Sequence, residues 1–327
     1  MSRHGRADSI RPLEPSDVDA AARLLAERHR RQRLAEPLLD PIYEDPAATT
    51  PEIEALLGGE RASGWVALRD GGVAGYLIGV AKSDLVWGAN AWVEAAGHAA
   101  DDPALVRDLY AVAAAAWVGE GRTNHHVLVP ASDAGLVDAW FTLDFGQQHL
   151  HAVVAAPPRS FGVVPRNELV IRAATLDDLP PLIELERVLP LHLTASPVFS
   201  RLPVDSAQAI EAELRADLVD PTYTFFVAEH GGRVIGASIA CPVEVSRGSS
   251  GIVRPDHAGY LAYAAVLPEA RGLGAGRALG DAVLAWSRDR GHRSIVTDWR
   301  STNIEADRAW RGMGFRPTFR RLHRSIM

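Results

Sequence analysis

Cysteine and lysine are almost missing from this chain. Cys241 stands alone among 327 residues, so no internal disulfide can form and neither a zinc cluster nor a CxxC redox pair can be assembled. A reducing, cytoplasmic setting fits that usage. Cys241 lies in an apolar run and reads as a small packed strand residue. Lys82 is the only lysine beside 33 arginines, a usage expected of a GC-rich coding sequence. An excess of basic charge is lacking too: 34 basic against 41 acidic side chains leave a net charge of -7. That sign argues against a general nucleic-acid binder and favours a cationic or amine substrate. Nowhere do 18 apolar residues run together, and the charged start MSRHGRADSIRP has no apolar stretch behind it, so no membrane span or export signal is expected. What remains, 47% hydrophobic and 23% charged residues with 28 Gly and 21 Pro, is the balance of a globular protein, at a length that suits about two domains.

Internal repetition supplies what composition does not. Ile10, Arg11 and Asp17 recur as Ile171, Arg172 and Asp178, and Val66, Ala67, Gly71, Val73 and Gly75 recur as Val227, Ala228, Gly232, Val234 and Gly236, each pair 161 apart. Ala116 and Trp117 match Ala285 and Trp286 at 169, and Ala139, Trp140 and Phe145 match Ala309, Trp310 and Phe315 at 170. An offset that grows only by a small insertion points to duplication. The expected domains are residues 1–154 and 169–327, with 155–168 as a proline-containing linker. Each half shows a short strand, a helix opened by Ser16 or Thr175, a hairpin with a Gly turn, and then strands and helices in alternation to a final strand. Mixed α/β architecture with one sheet per half follows.

The second half contains the segment YLAYAAVLPEARGLGAGRALGDAVLAW. An apolar strand ends near Val266, then Arg271, Gly272, Gly274 and Gly276 form a tight loop. Leu279, Ala282, Val283 and Trp286 follow at the i, i+3, i+4, i+7 spacing of a helix. Glycines let successive N–H groups converge on an anion, and the helix N-terminus adds partial positive charge, so the loop suits a diphosphate. Alone, it also suits a turn that merely enters a helix. Arg277 and Ala278 stand where a P-loop needs Lys and Ser or Thr, which excludes that class. A dinucleotide-binding unit, and with it an NAD(P)-dependent oxidoreductase, is approximated by Gly274, Gly276 and Gly280 with Asp298 at the next strand end. Against it, residues 267–270 separate the strand from the glycines.

Arg271, Gly274 and Gly276 match in spacing the Arg/Gln-x-x-Gly-x-Gly/Ala loop of the GNAT superfamily of acyl-CoA-dependent N-acetyltransferases. Asn303, Ala306, Trp310, Gly314 and Phe315 match its downstream Asn, Ala, aromatic and Gly-Phe positions. On these two linked motifs the second half resembles that superfamily, and the repeat carries the resemblance weakly into residues 8–154. A degenerate first domain before a better preserved second one is similar to the organisation of mycothiol synthase-like tandem enzymes. The resemblance implies two tandem GNAT-like domains of α/β class with a mixed sheet that splays beside its fourth strand, and acetyl-CoA as co-substrate with no metal. Backbone groups of Ala264, Ala265 and Val266 would line the pantetheine arm. Arg271, Gly272, Gly274, Gly276 and Arg277 would cap the diphosphate, with Asn303 and Trp310 on the opposite side. The implied reaction is acetyl transfer to a primary amine of a small molecule or peptide. Many members carry a Tyr as general acid where this chain has Trp310, which the helical period also reads as a packing residue. That departure makes a non-catalytic CoA-binding protein the competing reading.

For the base, Asp298 stands first because it ends a strand, with Tyr263, Tyr260 and His257 beside it, although Asp298 equally suits a turn cap. His125, His126 and His257 lack a companion or carboxylate at metal-ligand spacing. In the first half the 169 offset sets Asp102, Pro103, Ala104, Leu105, Val106 and Arg107 against the glycine loop, and the 170 offset sets Asp133 against Asn303. Side chains and negative charge there predict no CoA binding by residues 1–154, which would act as a packing partner or as one wall of the acceptor cleft. The arginine-rich end RPTFRRLHRSIM reads as the solvated face of an edge strand.

Overall fold

A computed structural model describes residues 6–157, 168–200, 205–245 and 251–327; most of the linker expected at 155–168 lies outside them. The chain divides into two compact units, one of Met1–Leu150, Ser250–Val253 and Pro317–Met327 and one of His151–Ser249 and Arg254–Arg316. No helix among the described residues is long and apolar enough to cross a membrane.

The first half supplies β1 (Ser9–Pro12), α1 (Val18–Ala35), α2 (Pro46–Leu57), β2 (Ala62–Arg69), β3 (Gly72–Asp84), β4 (Gly88–Val93), β5 (His98–Ala100), α3 (Leu105–Gly119), β6 (Asn124–Pro130), α4 (Ala134–Phe141) and β7 (Gly146–Ala155). Val18, Ala21, Ala22 and Leu25 of α1 recur at helical spacing, and that stripe is buried with Ile53, Val66, Tyr76 and Ile78. A second cluster holds Leu105, Leu109, Ala113 and Trp117 of α3 with Ala67, Leu77 and Val127. The unit is therefore a sheet with a helical layer on each face.

The second half supplies β8 (Leu169–Ala173), α5 (Leu179–Thr194), α6 (Ala207–Val219), β9 (Thr224–His230), β10 (Arg233–Pro242), β11 (Gly259–Val266), α7 (Ala275–Asp289), β12 (Ser294–Arg300), α8 (Ile304–Gly312) and β13 (Arg316–Ser325). Strands β8 to β11 pair antiparallel in chain order, and β12 runs parallel to β11. The mixed α/β architecture read from the sequence is present in both units.

The duplication reaches individual side chains. Arg11 grips the Asp17 carboxylate with two hydrogen bonds of 2.6 and 2.8 Å, and Arg172 grips Asp178 with two of 2.8 Å. Each aspartate also closes a capping box at the helix entrance. Trp117 Nε1 donates to Ser63 Oγ at 2.9 Å, as Trp286 Nε1 does to Thr224 Oγ1.

The final strand departs from the sequence reading. β13 pairs antiparallel with β6, Phe319 opposite Pro130 through Ser325 opposite Asn124, and its residues from Pro317 onward belong to the first unit. Phe319 and Leu322, three positions apart in a strand, face opposite sides. They are buried in the two different clusters of that unit. The arginines of this strand are not a solvated face: Arg321 lies 5.4 Å from the Trp92 ring, Arg324 lies 6.0 Å from the Tyr110 ring, and Arg320 donates to Gln147 at 2.8 Å.

Candidate functional site

In the second unit β11 and β12 pair only at Gly259 with Ile295 and Tyr260 with Val296. Beyond these the strands part. A bulge opposite β10, where the register skips Ala262, kinks β11 just after that point and leaves Ala262 exposed. A cavity of about 450 Å³ continues from the opened strands, lined along β11 by Ala264, Ala265 and Val266. Leu189 and His192 of α5 and Ala309 and Trp310 of α8 form other walls, and Arg271, Gly272, Gly274, Gly276 and Asn303 stand at its polar end.

That end is built from two helix N-termini. Gly274 caps α7 at φ 88, and Gly272 has φ 87, a left-handed backbone that disfavours side chains. Nothing lies within 4 Å of where a Cβ would stand on either residue, so the turn faces open space at both glycines. Asn303 caps α8, its Oδ1 accepting from Ala306 N at 3.2 Å. Both termini present unpaired amides and positive dipole ends, the surroundings that a diphosphate requires. The apolar walls suit an uncharged arm. These residues fit an acyl-CoA.

His192, unnoticed in the sequence, ties the polar end together. Its Nε2 lies 3.4 Å from Asn303 Oδ1 and its Nδ1 lies 3.4 Å from Arg271 Nη2. Arg271 must donate, so Nδ1 accepts, and the tautomer with hydrogen on Nε2 satisfies both contacts. With Oδ1 engaged twice, the Asn303 Nδ2 amide has no partner among the described residues. Arg271 also donates to Glu305 at 3.2 Å.

Three sequence-stipulated residues fall elsewhere. Arg277 does not line the cavity; its guanidinium is held by Asp281 at 3.0 Å and donates to the Gly312 carbonyl at 3.1 Å. Asp298 does not line it either, and accepts the Tyr260 hydroxyl at 2.6 Å. Tyr263 donates its hydroxyl to the Leu185 carbonyl at 2.5 Å, and burial, with Glu186 adding, pushes that phenol far above its ordinary range. A phenol so shifted is a poor acid, and its proton is already committed. Trp310 is buried edge-on to Phe315, with ring centroids 6.1 Å apart, and offers no acid.

Glu186, one turn before Leu189 on α5, was invisible to sequence reasoning. Burial, with Glu213 and Asp217 of α6 adding, pushes its carboxyl up to about 7. Cys241 is buried and its thiol is pushed up to about 11 by burial, with Asp217 and Glu244 adding, so it is not a nucleophile at neutral pH. His257, which has no carboxylate at metal-ligand spacing in the sequence, lies with Glu244 and Asp256 in an exposed trio whose ligand atoms fall within 4.8 Å. The fold, not the spacing, brings Glu244 there.

The first unit answers the same questions differently. Registers align Ala100, opposite Gly75, with Val266, opposite Gly236. Helices α3 and α7 start at Leu105 and Ala275. Residues 101–104 therefore replace 267–274, so the turn is four residues shorter and has no counterpart of the glycine loop at all. The 169 offset conceals this by spreading the deletion. Where Leu189 and Ala264 line the second unit's cavity, the first unit has Arg28 and His98, both buried. Arg28 donates to the carbonyls of His98 and Ala95, the latter at 2.6 Å, and His98 meets Trp140 edge-on at 5.8 Å. Burial pulls the guanidinium down to about 10, still charged at neutral pH, and Asp133 is its nearby counter-charge. Asp133 thus has a reason besides repelling phosphate. Ile252 and Val253 are buried beside Ala95 and Ala96 on the other face.

Comparison with known proteins agrees with this geometry. Residues 187–315 match the family model described as Acetyltransferase (GNAT) family. An aminoglycoside N(6')-acetyltransferase type 1 of Stenotrophomonas maltophilia is 44% identical over 62 residues, 19% of this chain and 40% of that protein. The chain spans less than half the length of the curated relatives it matches. A GCN5-related N-acetyltransferase structure from Sphaerobacter thermophilus superposes with TM-score 0.59 at 15% identity, covering 97% of this chain and 95% of that one. A tandem GNAT protein from the clavulanic acid biosynthesis pathway superposes with TM-score 0.51 at 17% identity, over 97% and 98%. Residues 187–315 thus match the GNAT acetyltransferase family, and the chain as a whole shares the fold of GNAT and tandem GNAT structures.

Proposed function

We propose that the second unit transfers an acetyl group from acetyl-CoA to a primary amine, and that the first unit does not bind CoA. The observation that carries this reading is the cavity between β11, α5 and α8, next to the point where β11 parts from β12, apolar along its walls and closed by the turn at Gly272 and Gly274. The turn and the α7 N-terminus would hold the diphosphate, Arg271 and the Asn303 amide would face it, and Ala264 to Val266 would pair with the amides of the arm. The acetyl-CoA supplies an activated thioester. A neutral amine would attack it, so the protein must accept the ammonium proton and exclude water, and an N–H of the bulged strand can stabilise the oxyanion. Among the described residues no phenol lines the cavity to protonate the departing thiolate; thiols ionise near pH 8.5, roughly, so water suffices.

The relative from Stenotrophomonas makes an aminoglycoside the first acceptor to try, with polyamines and N-terminal peptides next. The test is CoA release from acetyl-CoA in the presence of kanamycin, spermidine or a short peptide. Acceptor-dependent release supports the reading. Trp310, buried and without an acid function, favours a second one, a CoA-binding protein without catalysis. Tight acetyl-CoA binding with no release by any of these amines would select it.

A further inference from the structure

The geometry points to Glu186 of α5 as the catalytic base that deprotonates the acceptor ammonium just beyond the inner end of the cavity. This rests on the acetyl-transfer reading above and names the residue that reading leaves open. The placement comes first. Leu189 lines the cavity, and Glu186, which does not itself line it, precedes Leu189 by three positions on the same side of α5, one turn beyond the lined stretch. The Tyr263 hydroxyl pins the carbonyl of Leu185, the residue before Glu186, to β11 immediately before Ala264, where the cavity begins. Glu186 therefore stands beside the bulge where β11 leaves β12, and the exposed Ala262 marks an opening at that point.

Availability comes second. Asp298 is engaged by the Tyr260 hydroxyl. Glu186 has no hydrogen-bond donor among the described residues, and the charged groups that act on it are Glu213 and Asp217 of α6, with the Tyr263 phenol of β11 beside it. Among the described residues the charged groups that act on it are anionic, so an ammonium is attracted there and a carboxylate is kept basic. A carboxyl with a pKa of about 7 is half ionised at neutral pH, the condition under which a general base works best.

The step balances as follows. The ammonium gives one proton to Glu186, and the freed lone pair forms the C–N bond at the thioester carbon. The C–S bond breaks with its electron pair going to sulfur. The second nitrogen proton leaves as the amide forms; of the two protons one ends on the thiolate and one in solvent, restoring ionised Glu186.

The test compares native protein with Glu186→Gln and Glu186→Asp, using whichever of spermidine or kanamycin it acetylates and also hydroxylamine, a nucleophile that is already a free base at neutral pH. With the ammonium acceptor, Glu186→Gln should lower kcat about 100-fold or more, Glu186→Asp should recover part of it, and the KM for acetyl-CoA should stay unchanged. With hydroxylamine the loss should be under about tenfold. In native protein kcat/KM should rise with pH through about 7, because protonated Glu186 is inactive below that value, and this limb should vanish in Glu186→Gln. A glutamine variant that keeps the native rate and pH limb overturns the assignment while leaving acetyl transfer intact, and equal losses with both nucleophiles reduce Glu186 to a structural role. Native protein that binds acetyl-CoA yet acetylates none of the three overturns the transfer reading and this assignment together.

Discussion

Asn303 does two jobs that different substitutions separate. Its Oδ1 caps α8 through Ala306 N at 3.2 Å and meets His192 Nε2 at 3.4 Å, and the residue lines the polar end of the cavity. Asn303→Ala removes the cap and should cost about 1 kcal/mol of stability, or ~2–4 °C in the melting of a unit of this size. It should also weaken acetyl-CoA binding by about fivefold, one lost hydrogen bond. Asn303→Asp keeps the cap, as Asp133 does at the corresponding place by accepting from Leu136 N at 2.9 Å. It should melt like the native protein. Yet it puts a negative charge where the diphosphate belongs, and two like charges within ~8 Å at an effective dielectric of 20 repel by roughly 2 kcal/mol. Acetyl-CoA affinity should therefore fall at least ~30-fold in the more stable variant. Calorimetric titration paired with differential scanning calorimetry checks both numbers. Asp and Ala variants that melt alike, or an Asp variant that binds like native protein, would refute the reasoning.

Gly274→Glu, at φ 88, should cost about 1–2 kcal/mol in stability, keep the far-UV circular dichroism, and weaken acetyl-CoA binding more than tenfold; undiminished affinity would mean that the turn does not hold the diphosphate. Arg28→Met should destabilise the protein by about 2–4 kcal/mol in denaturant unfolding, since the Ala95 and His98 carbonyls lose their donor. It should leave acetyl-CoA stoichiometry unchanged; a second bound equivalent would show that Arg28 alone closes the first unit.

The parts of the site that a sequence reveals are those where sterics permit one residue type. Gly272 and Gly274 stand at positive φ, Asn303 must cap a helix, and Arg172 must reach Asp178; each left a fixed letter at a fixed spacing. Other features carry no such letter. Strand period assigns Phe319 and Leu322 to opposite faces but not to a particular sheet, so the pairing of β13 with β6 was hidden. Glu186 looks like any helix carboxylate until α6 brings Glu213 and Asp217 against it. Arg28 opens the basic run RHRRQR and looks solvated, yet it is buried, because His98 and Ala95 offer carbonyls that only the folded chain brings near. His192 was missed for the same reason: Arg271 and Asn303 are distant from it in sequence.

The central claim is that the cavity of the second unit, and nothing equivalent in the first, holds an acyl-CoA. Isothermal titration of the native chain with acetyl-CoA, and separately with NADPH, addresses it directly. The account predicts one acetyl-CoA per chain and no heat of binding from NADPH. No acetyl-CoA binding, two equivalent sites per chain, or a preference for NADPH would contradict it.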